Sequence, residues 1–560
     1  MSRSMLDSTQ SLALSAEELT AADDLVQRLE QLNAIGASLS AERDLGRLLE
    51  SILTAAKTIT RADGGTLYRL TEEGTLRFEI VRTTSLKYYL GGTTGNPVPF
   101  YPIHLMGKDG KPNHGMVAAY AALTGKTVNI PDAYTAEGFD FSGTRNFDKK
   151  TGYRSKSFLT VPMRNHENEI IGVLQLINAT HPKTGEIGAF SPSDQRLAES
   201  LASQAAIALT NRMLINQLEE LFESFINLIN MAIDEKSPYT GGHCQRVPTL
   251  TMMLAEAVNE TGSGPLADFR MSDKDRYELK IAGLLHDCGK VTTPVHVVDK
   301  ATKLETIFDR INLIDTRFEV LRRDTEVALL KEKALLVAHD APRAELDAAD
   351  ARYRDRVRQL QEDRSFLRAC NIGSEAMREG DIERVKAIGA RRWVDVSGHE
   401  ASFLSEEELK NLTIRAGTLN QDERQVINHH IVATIKMLEA LPWPKHLRNV
   451  PEYAGGHHER MDGKGYPKGL TREQMSVQAR VMGIADIFEA LTARDRPYKK
   501  GKTLSESLRI LGDMRLRGHI DPDLFDVFVR GKIYRRYAEM FLDKEQIDQV
   551  DEAKIPGYVP

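Results

Sequence analysis

The chain has 560 residues, 41% of them hydrophobic and 28% charged, with a formal net charge of −6 at pH 7. That length predicts several domains with sizeable cores, and the mild acidity offers no basic field for wrapping a DNA or RNA polymer. No apolar run reaches the roughly 18–20 residues that span a bilayer, the start lacks the pattern of a secretion signal, and Cys244, Cys288 and Cys370 form neither a CxxC pair nor a disulfide framework, so the sequence predicts a cytoplasmic protein without a membrane span.

Residues 1–22 are polar, Ser/Thr/Ala-rich and without a sustained period, which predicts a flexible tail. Apolar residues then recur at helical spacing from Leu25 to Ile59, as in Leu45, Leu48, Leu49, Ile52 and Leu53. Strand-like runs follow at 65–70, 77–81, 127–130, 157–161 and 170–177, separated by turn residues such as Glu73-Gly74. Helix, mixed strands and a closing helix predict an α+β sensor domain over 23–215.

From Pro192 to about Ile233 helical spacing runs on with almost no breaker. Leu197, Leu201, Ala205 and Ala208 open it, and Ile207, Leu214, Leu221 and Leu228 then repeat every seven residues, with Leu218 and Phe225 four places after Leu214 and Leu221. A connecting helix over 196–233 that holds a two-stranded parallel coiled coil fits this pattern, and so do two capping helices laid end to end. The coiled coil predicts a homodimer.

The chemistry concentrates further on. His457-His-Glu-Arg-Met-Asp-Gly-Lys-Gly-Tyr-Pro467 packs two histidines, two carboxylates and two glycines into one short stretch. A solvated turn would account for an isolated histidine pair. Here, however, His286-Asp287 interrupts the apolar helical pattern 281–290, and Asp486 interrupts another at 481–491. A carboxylate on the buried side of a helix costs several kcal/mol unless it is paired or bound to a metal. A shared metal site removes these anomalies together. Lys290, close to the face of Asp287, is either a surface lysine or a cation beside the metals that neutralises a phosphate oxygen. Residues 305–415 carry charged, helical sequence, including 311–338 and 344–367, with no motif chemistry; they predict an inserted helical arm. The stretch 417–423 resembles a capped helix start, helices continue to about 542, and 546–560 reads as a loose tail.

His286-Asp287, His457-His458-Glu459, Asp462-Gly463, Gly465-Tyr466-Pro467 and Asp486 resemble the HD-GYP family of bacterial cyclic di-GMP phosphodiesterases, within the wider HD phosphohydrolases. The resemblance runs from about Asn227 to Tyr534 and includes 238–247, 492–499 and 519–523. It implies an all-α HD-GYP domain over 227–545. Asn129-Ile-Pro-Asp132, Thr151–Lys156, Val161-Pro-Met163 and Gly172–Asn178 resemble GAF domains, particularly those of cyclic-nucleotide phosphodiesterases and cyclases. Asn178, Phe190 and Asp194 match part of a pattern of nucleotide-binding members, but Ala179 and Gln195 depart from it. A cyclic nucleotide as GAF ligand and a GAF domain used only for dimerisation are both consistent with this. The whole reads as a multidomain protein, an α+β GAF domain joined by a long helix to an all-α HD-GYP domain with an inserted arm.

The HD-GYP resemblance implies two divalent ions, iron or manganese first. His243, His286, Asp287 and Asp486 would hold one, and His430, His457 and His458 the other, with Asp287 bridging. His430 is preferred to His429 by its spacing to Leu438. Tyr239 stands where some members carry a third-metal carboxylate, which implies two ions rather than three. Asp287 and Lys290 are then catalytic, and Lys290, Tyr466, Arg496 and Lys499 hold the substrate. The implied reaction is hydrolysis of cyclic di-GMP to linear pGpG or GMP under control of the GAF domain. The alternatives are the same chemistry on 3′,3′-cGAMP, or a catalytically weak receptor or scaffold.

Overall fold

The computed structural model describes residues 16–236, 242–373, 376–395, 397–494 and 501–559, with side chains described from residue 24. Two compact units divide between Phe222 and Glu223.

The first unit opens with α1 (Ala16–Ala41), which starts inside the span expected to be a flexible tail; residues 1–15 of that span lie outside the described residues. Helix α2 (Leu45–Thr60) starts where the Asp44 carboxylate accepts the Arg47 N–H, an N-cap that satisfies a donor the helix cannot. The expected strands are present as β1 (Ala62–Leu70), β2 (Thr75–Thr83), β5 (Val128–Ile130), β6 (Phe158–Arg164) and β7 (Ile170–Thr180). Periodicity did not show the short strands β3 (Tyr88–Gly91), β4 (Ile103–His104) and β8 (Ile187–Gly188), nor the helices α3 (Val117–Thr124) and α4 (Ser142–Thr151). One antiparallel sheet runs in the order β3-β2-β1-β7-β6-β5, with β4 on β2 and β8 on β7. One face is sealed by Leu48, Ile52 and Leu53 of α2 together with Leu197, Leu201 and Ala205 of α5 (Pro192–Lys236), a single helix of 45 residues. On the other face a cavity of about 330 Å³ is lined by Tyr68, Phe78, Phe141, Phe158 and Gln175, among others.

Asn178, at φ 60°, accepts the N–H groups of Lys156 and Ser157 and donates to the Arg154 carbonyl, so its side chain splices two strands. Asp194 pairs with Arg28 of α1 and accepts from Ser191.

The second unit is helical. It contains α6 (His243–Asn259), α7 (Asp273–Leu285), a 3-10 turn at Cys288–Thr292, α8 (Val295–Val298), α9 (Ile311–Ala338), α10 (Arg343–Asn371), α11 (Glu379–Gly389), α12 (Glu406–Leu412), α13 (Gln421–Glu439), α14 (Val450–Gly455), α15 (Val477–Thr492), α16 (Leu504–Leu516), α17 (Pro522–Arg530) and α18 (Ile533–Phe541). The expected arm is more than a hairpin of α9 and α10. With α11, a two-stranded ribbon (Arg392–Val394 and Glu400–Ser402) and α12 it builds its own core around Leu304, Phe318, Leu367, Val385 and Phe403. The start of α13 is capped as expected: Asn420 accepts the Glu423 N–H while the Glu423 carboxylate accepts the Asn420 N–H.

The loose tail expected over 546–560 is corrected. The buried Gln546 amide donates to the carbonyls of Thr492 and Lys502, Tyr534 donates to Glu552, and Ile555 is 8% exposed. Its polarity reflects side chains that satisfy backbone carbonyls, which composition alone does not distinguish from solvation.

Candidate metal centre

Four helices and two turns bring the predicted ligands together. His243 begins α6, His286 ends α7, Asp287 opens the turn into Cys288–Thr292, His430 lies in α13, His457 and His458 follow α14, and Asp486 is on α15. His286 is fully buried, and His243, Asp287, His430 and His457 are each below 9% exposed. His429 faces solvent while His430 faces inward.

The ligand atoms fall into two groups around Asp287. On one side, its Oδ2 lies 2.9 Å from His243 Nε2 and 3.2 Å from His286 Nε2; Asp486 Oδ1 is 3.5 Å from His243 Nε2. On the other side, Asp287 Oδ1 lies 3.3 Å from His430 Nε2, which is 3.2 Å from His458 Nε2. His243, His286 and Asp287 form one set of atoms within 4.8 Å of one another, and His430, His457 and His458 form a second.

Backbone geometry turns the imidazoles inward. His286, His430 and His457 each donate Nδ1–H to the carbonyl three residues earlier, those of Gly283, Ile427 and Ala454, at 2.7, 2.5 and 2.6 Å. This fixes the tautomer and leaves the Nε2 lone pair free. His457 Nε2 and Asp287 Oδ1 are buried with no hydrogen-bond partner among the described residues. His243 is oriented differently: its Nδ1 lies 2.6 Å from the buried carboxylate of Glu489, which also accepts from Arg246 at 2.7 Å. Sequence reasoning passed over Glu489. Its signal was the Asp486-x-x-Glu489 spacing, which puts both carboxylates on one face of α15.

Burial lowers the His457 pKa well below the usual imidazole value and, against opposing carboxylate charge, brings His458 down to about 4, so both are neutral acceptors at pH 7. Burial also opposes charge on His243. The Glu489 charge and hydrogen bonds to Asp287 and Glu489 outweigh it and raise that pKa to about 9. Asp287 is held well below the carboxylate range: burial pushes upward, but the charge of Lys290 beside it prevails. Facing lone pairs, orphaned buried acceptors and excess carboxylate are the arrangement a pair of divalent cations satisfies. Imidazole and carboxylate without thiolate suit first-row metals such as iron and manganese.

Lys290 Nζ sits 2.5 Å from Asp287 Oδ2. Gly289, beneath it, packs so closely on α13 that a Cβ would lie 2.0 Å from the His430 carbonyl oxygen. Tyr466 stacks on His458, with ring centroids 4.8 Å apart and planes at 22°. Glu459 lies behind the histidines and accepts the N–H groups of Lys468 and Leu470, pinning the loop. A Cβ on Gly465 would lie 2.4 Å from the Arg460 nitrogen. Arg496, Lys499 and Tyr239 lie outside the described residues.

Comparison with known proteins agrees with this architecture. The GAF domain family model matches residues 44–209, and two HD domain models match residues 240–356 and 406–524. The chain is 47% identical over 74 residues to a cyclic di-GMP phosphodiesterase of Pseudomonas aeruginosa, covering 13% of this chain and 17% of that protein. It is 37% identical over 116 residues to the 3′3′-cGAMP-specific phosphodiesterase 1 of Vibrio cholerae, covering 21% and 26%. It is 34% identical over 122 residues to the cyclic di-GMP phosphodiesterase response regulator RpfG of Xanthomonas campestris pv. campestris, covering 22% and 32%. The matched segments thus span between 17% and 32% of the length of these relatives. Among the described residues no helix is long and apolar enough to cross a membrane. The chain therefore carries a GAF domain followed by an HD domain, and the gathered histidines and aspartates belong to the latter.

Proposed function

We propose that this protein is a metal-dependent phosphodiesterase of the HD-GYP type that hydrolyses cyclic di-GMP. The observation that carries the reading is the pair of ligand sets meeting at the two oxygens of Asp287. His243, His286, Asp287 and Asp486 would hold one ion, and His430, His457 and His458 the other. Two bound divalent ions would supply an activated water and offset charge on the scissile phosphate. The chain's own groups do the rest. The inward-turned imidazoles hold their lone pairs in fixed directions, and the Glu489–His243 pair fixes one of them against rotation. Lys290 brings a cation to the same oxygen of Asp287, where it would take up charge on a non-bridging phosphate oxygen. Tyr466 presents a ring beside the site, and Arg496 and Lys499 remain the proposed phosphate contacts. The protein supplies no nucleophile of its own in this scheme.

Relatives named for 3′3′-cGAMP support a second substrate reading with the same chemistry. In the GAF domain the cavity would take a small regulatory ligand, and a cyclic nucleotide is the one suggested by the sequence pattern. No Lys or Arg lines that cavity among the described residues, so a cyclic phosphate there would rely on hydroxyl and backbone N–H donors. The protein would act as a homodimer through the stripe of Leu214, Leu218, Leu221, Phe225 and Leu228, each at least 46% exposed on α5.

The test is anaerobic purification, a metal count, and assays of cyclic di-GMP and 3′,3′-cGAMP with iron or manganese supplied. Turnover with about two ions per chain supports the reading, and the rate ratio names the preferred dinucleotide. A metal-loaded protein that binds but cuts neither overturns it in favour of a receptor.

A further inference from the structure

The last turn of α5 reaches the turn that carries Lys290. Ile226, Asn230 and Ile233 bury one face of this helix, each at or below 6% exposure, while Leu221, Phe225 and Leu228 lie on the exposed side. One turn beyond Ile233, Lys236 directs its ammonium at the 3-10 turn Cys288–Thr292. Its Nζ donates to the Val291 carbonyl at 2.5 Å and approaches the Lys290 carbonyl at 3.4 Å. These are C-terminal carbonyls of a short helical turn. The Lys290 carbonyl also accepts the Thr293 N–H at 3.1 Å, and both carbonyls lie at the turn's negative end, so a cation there is held by both charge and hydrogen bonding.

The same turn is tied on its other side to the metal ligands. Gly289 N–H donates to Thr434 of α13 at 2.9 Å, and Lys290 N–H donates to the Asp287 carbonyl at 2.9 Å. Residues 287–292 are therefore clamped between α13, one turn from His430, and Lys236. Asn230, on the buried face of the same helix end, has neither amide atom hydrogen-bonded among the described residues. That amide contributes no hydrogen bond to this seating. The Lys236 bonds tether the helix end to the turn.

We propose that Lys236 is a positioning residue: by capping the Cys288–Thr292 turn from the end of α5, it sets the placement of Asp287 and Lys290. It bonds backbone carbonyls of the turn rather than the side chain of a proposed metal ligand. The inference rests on the phosphodiesterase reading for its activity arm but not for its metal arm.

The test compares Lys236→Met with Lys236→Arg in the full-length protein, by titration of the metal-free protein with manganese(II) and by turnover of cyclic di-GMP. Removing such an outer partner lowers metal affinity or activity roughly 10-fold or more. Met should weaken manganese binding or lower kcat by that factor with KM little changed, and Arg, which keeps the charge and donors, should recover most of it. Unchanged affinity and kcat in the Met variant would overturn the proposal. So would an Arg variant as impaired as Met, or a loss accompanied by unfolding in both variants. If the wild type binds manganese but cuts no cyclic dinucleotide, the activity reading fails while the manganese titration still decides the role of Lys236.

Discussion

Three residues illustrate how far residue type alone identifies a functional position. Asp287 offers one oxygen to each histidine group, so Asp287→Ala should abolish turnover and strip the metal while the GAF domain stays folded. Near-normal turnover in that variant would refute the bridging assignment. Glu489 holds His243 at 2.6 Å from behind, and Glu489→Gln should lower metal affinity or kcat by about 10–100-fold without changing the ligand set; metal titration with parallel kinetics decides this. Gly465 has no room for a Cβ. Gly465→Ala should destabilise the loop by about 1–3 kcal/mol, read as a lowered Tm together with reduced activity. Two of these three residues stood out in the sequence because their types are anomalous for their surroundings. Glu489 did not, because a glutamate on an amphipathic helix is ordinary until the fold places it against a histidine Nδ1.

At the scale of elements, α5 runs as one helix over Pro192–Lys236, where the sequence shows unbroken helical spacing. Leu197, Leu201 and Ala205 are buried in the first unit, and the later heptad positions Leu214, Leu218, Leu221, Phe225 and Leu228 are exposed. Removing each such leucine from water is worth about 1.5–3 kcal/mol, which is the drive for pairing with a second copy. Leu221→Asp combined with Phe225→Asp should shift the protein from dimer to monomer in sedimentation equilibrium; a wild type that is already monomeric would refute the dimer. The arm was legible as helical but not as a small packed body, because its core joins residues as far apart as Leu304 and Phe403. The short strands β3, β4 and β8 were not legible for a similar reason. Two to four residues carry too little periodicity, and their pairing partners hold them in place.

For the molecule as a whole, the two units should respond separately to metal. An ion that binds only the folded state contributes about 2.7 kcal/mol when present at a hundred times its Kd. Calorimetry should therefore show a transition that falls on chelation, assigned to the HD domain, and a GAF transition that does not move. A chelator that shifts both equally would overturn that independence. The sequence by itself determined the α+β and all-α division, the long helix, and which histidines and aspartates to propose as ligands, because periodicity, short motifs and misplaced polar residues are local properties. Only the tertiary structure decided that His430 rather than His429 turns inward, that Glu489 orients His243, that Arg28 answers Asp194, and that residues 546–559 pack. Each of those outcomes depends on which groups meet across long stretches of chain, and the cost of burying an unpartnered charge or amide selects the meeting only once the fold has formed.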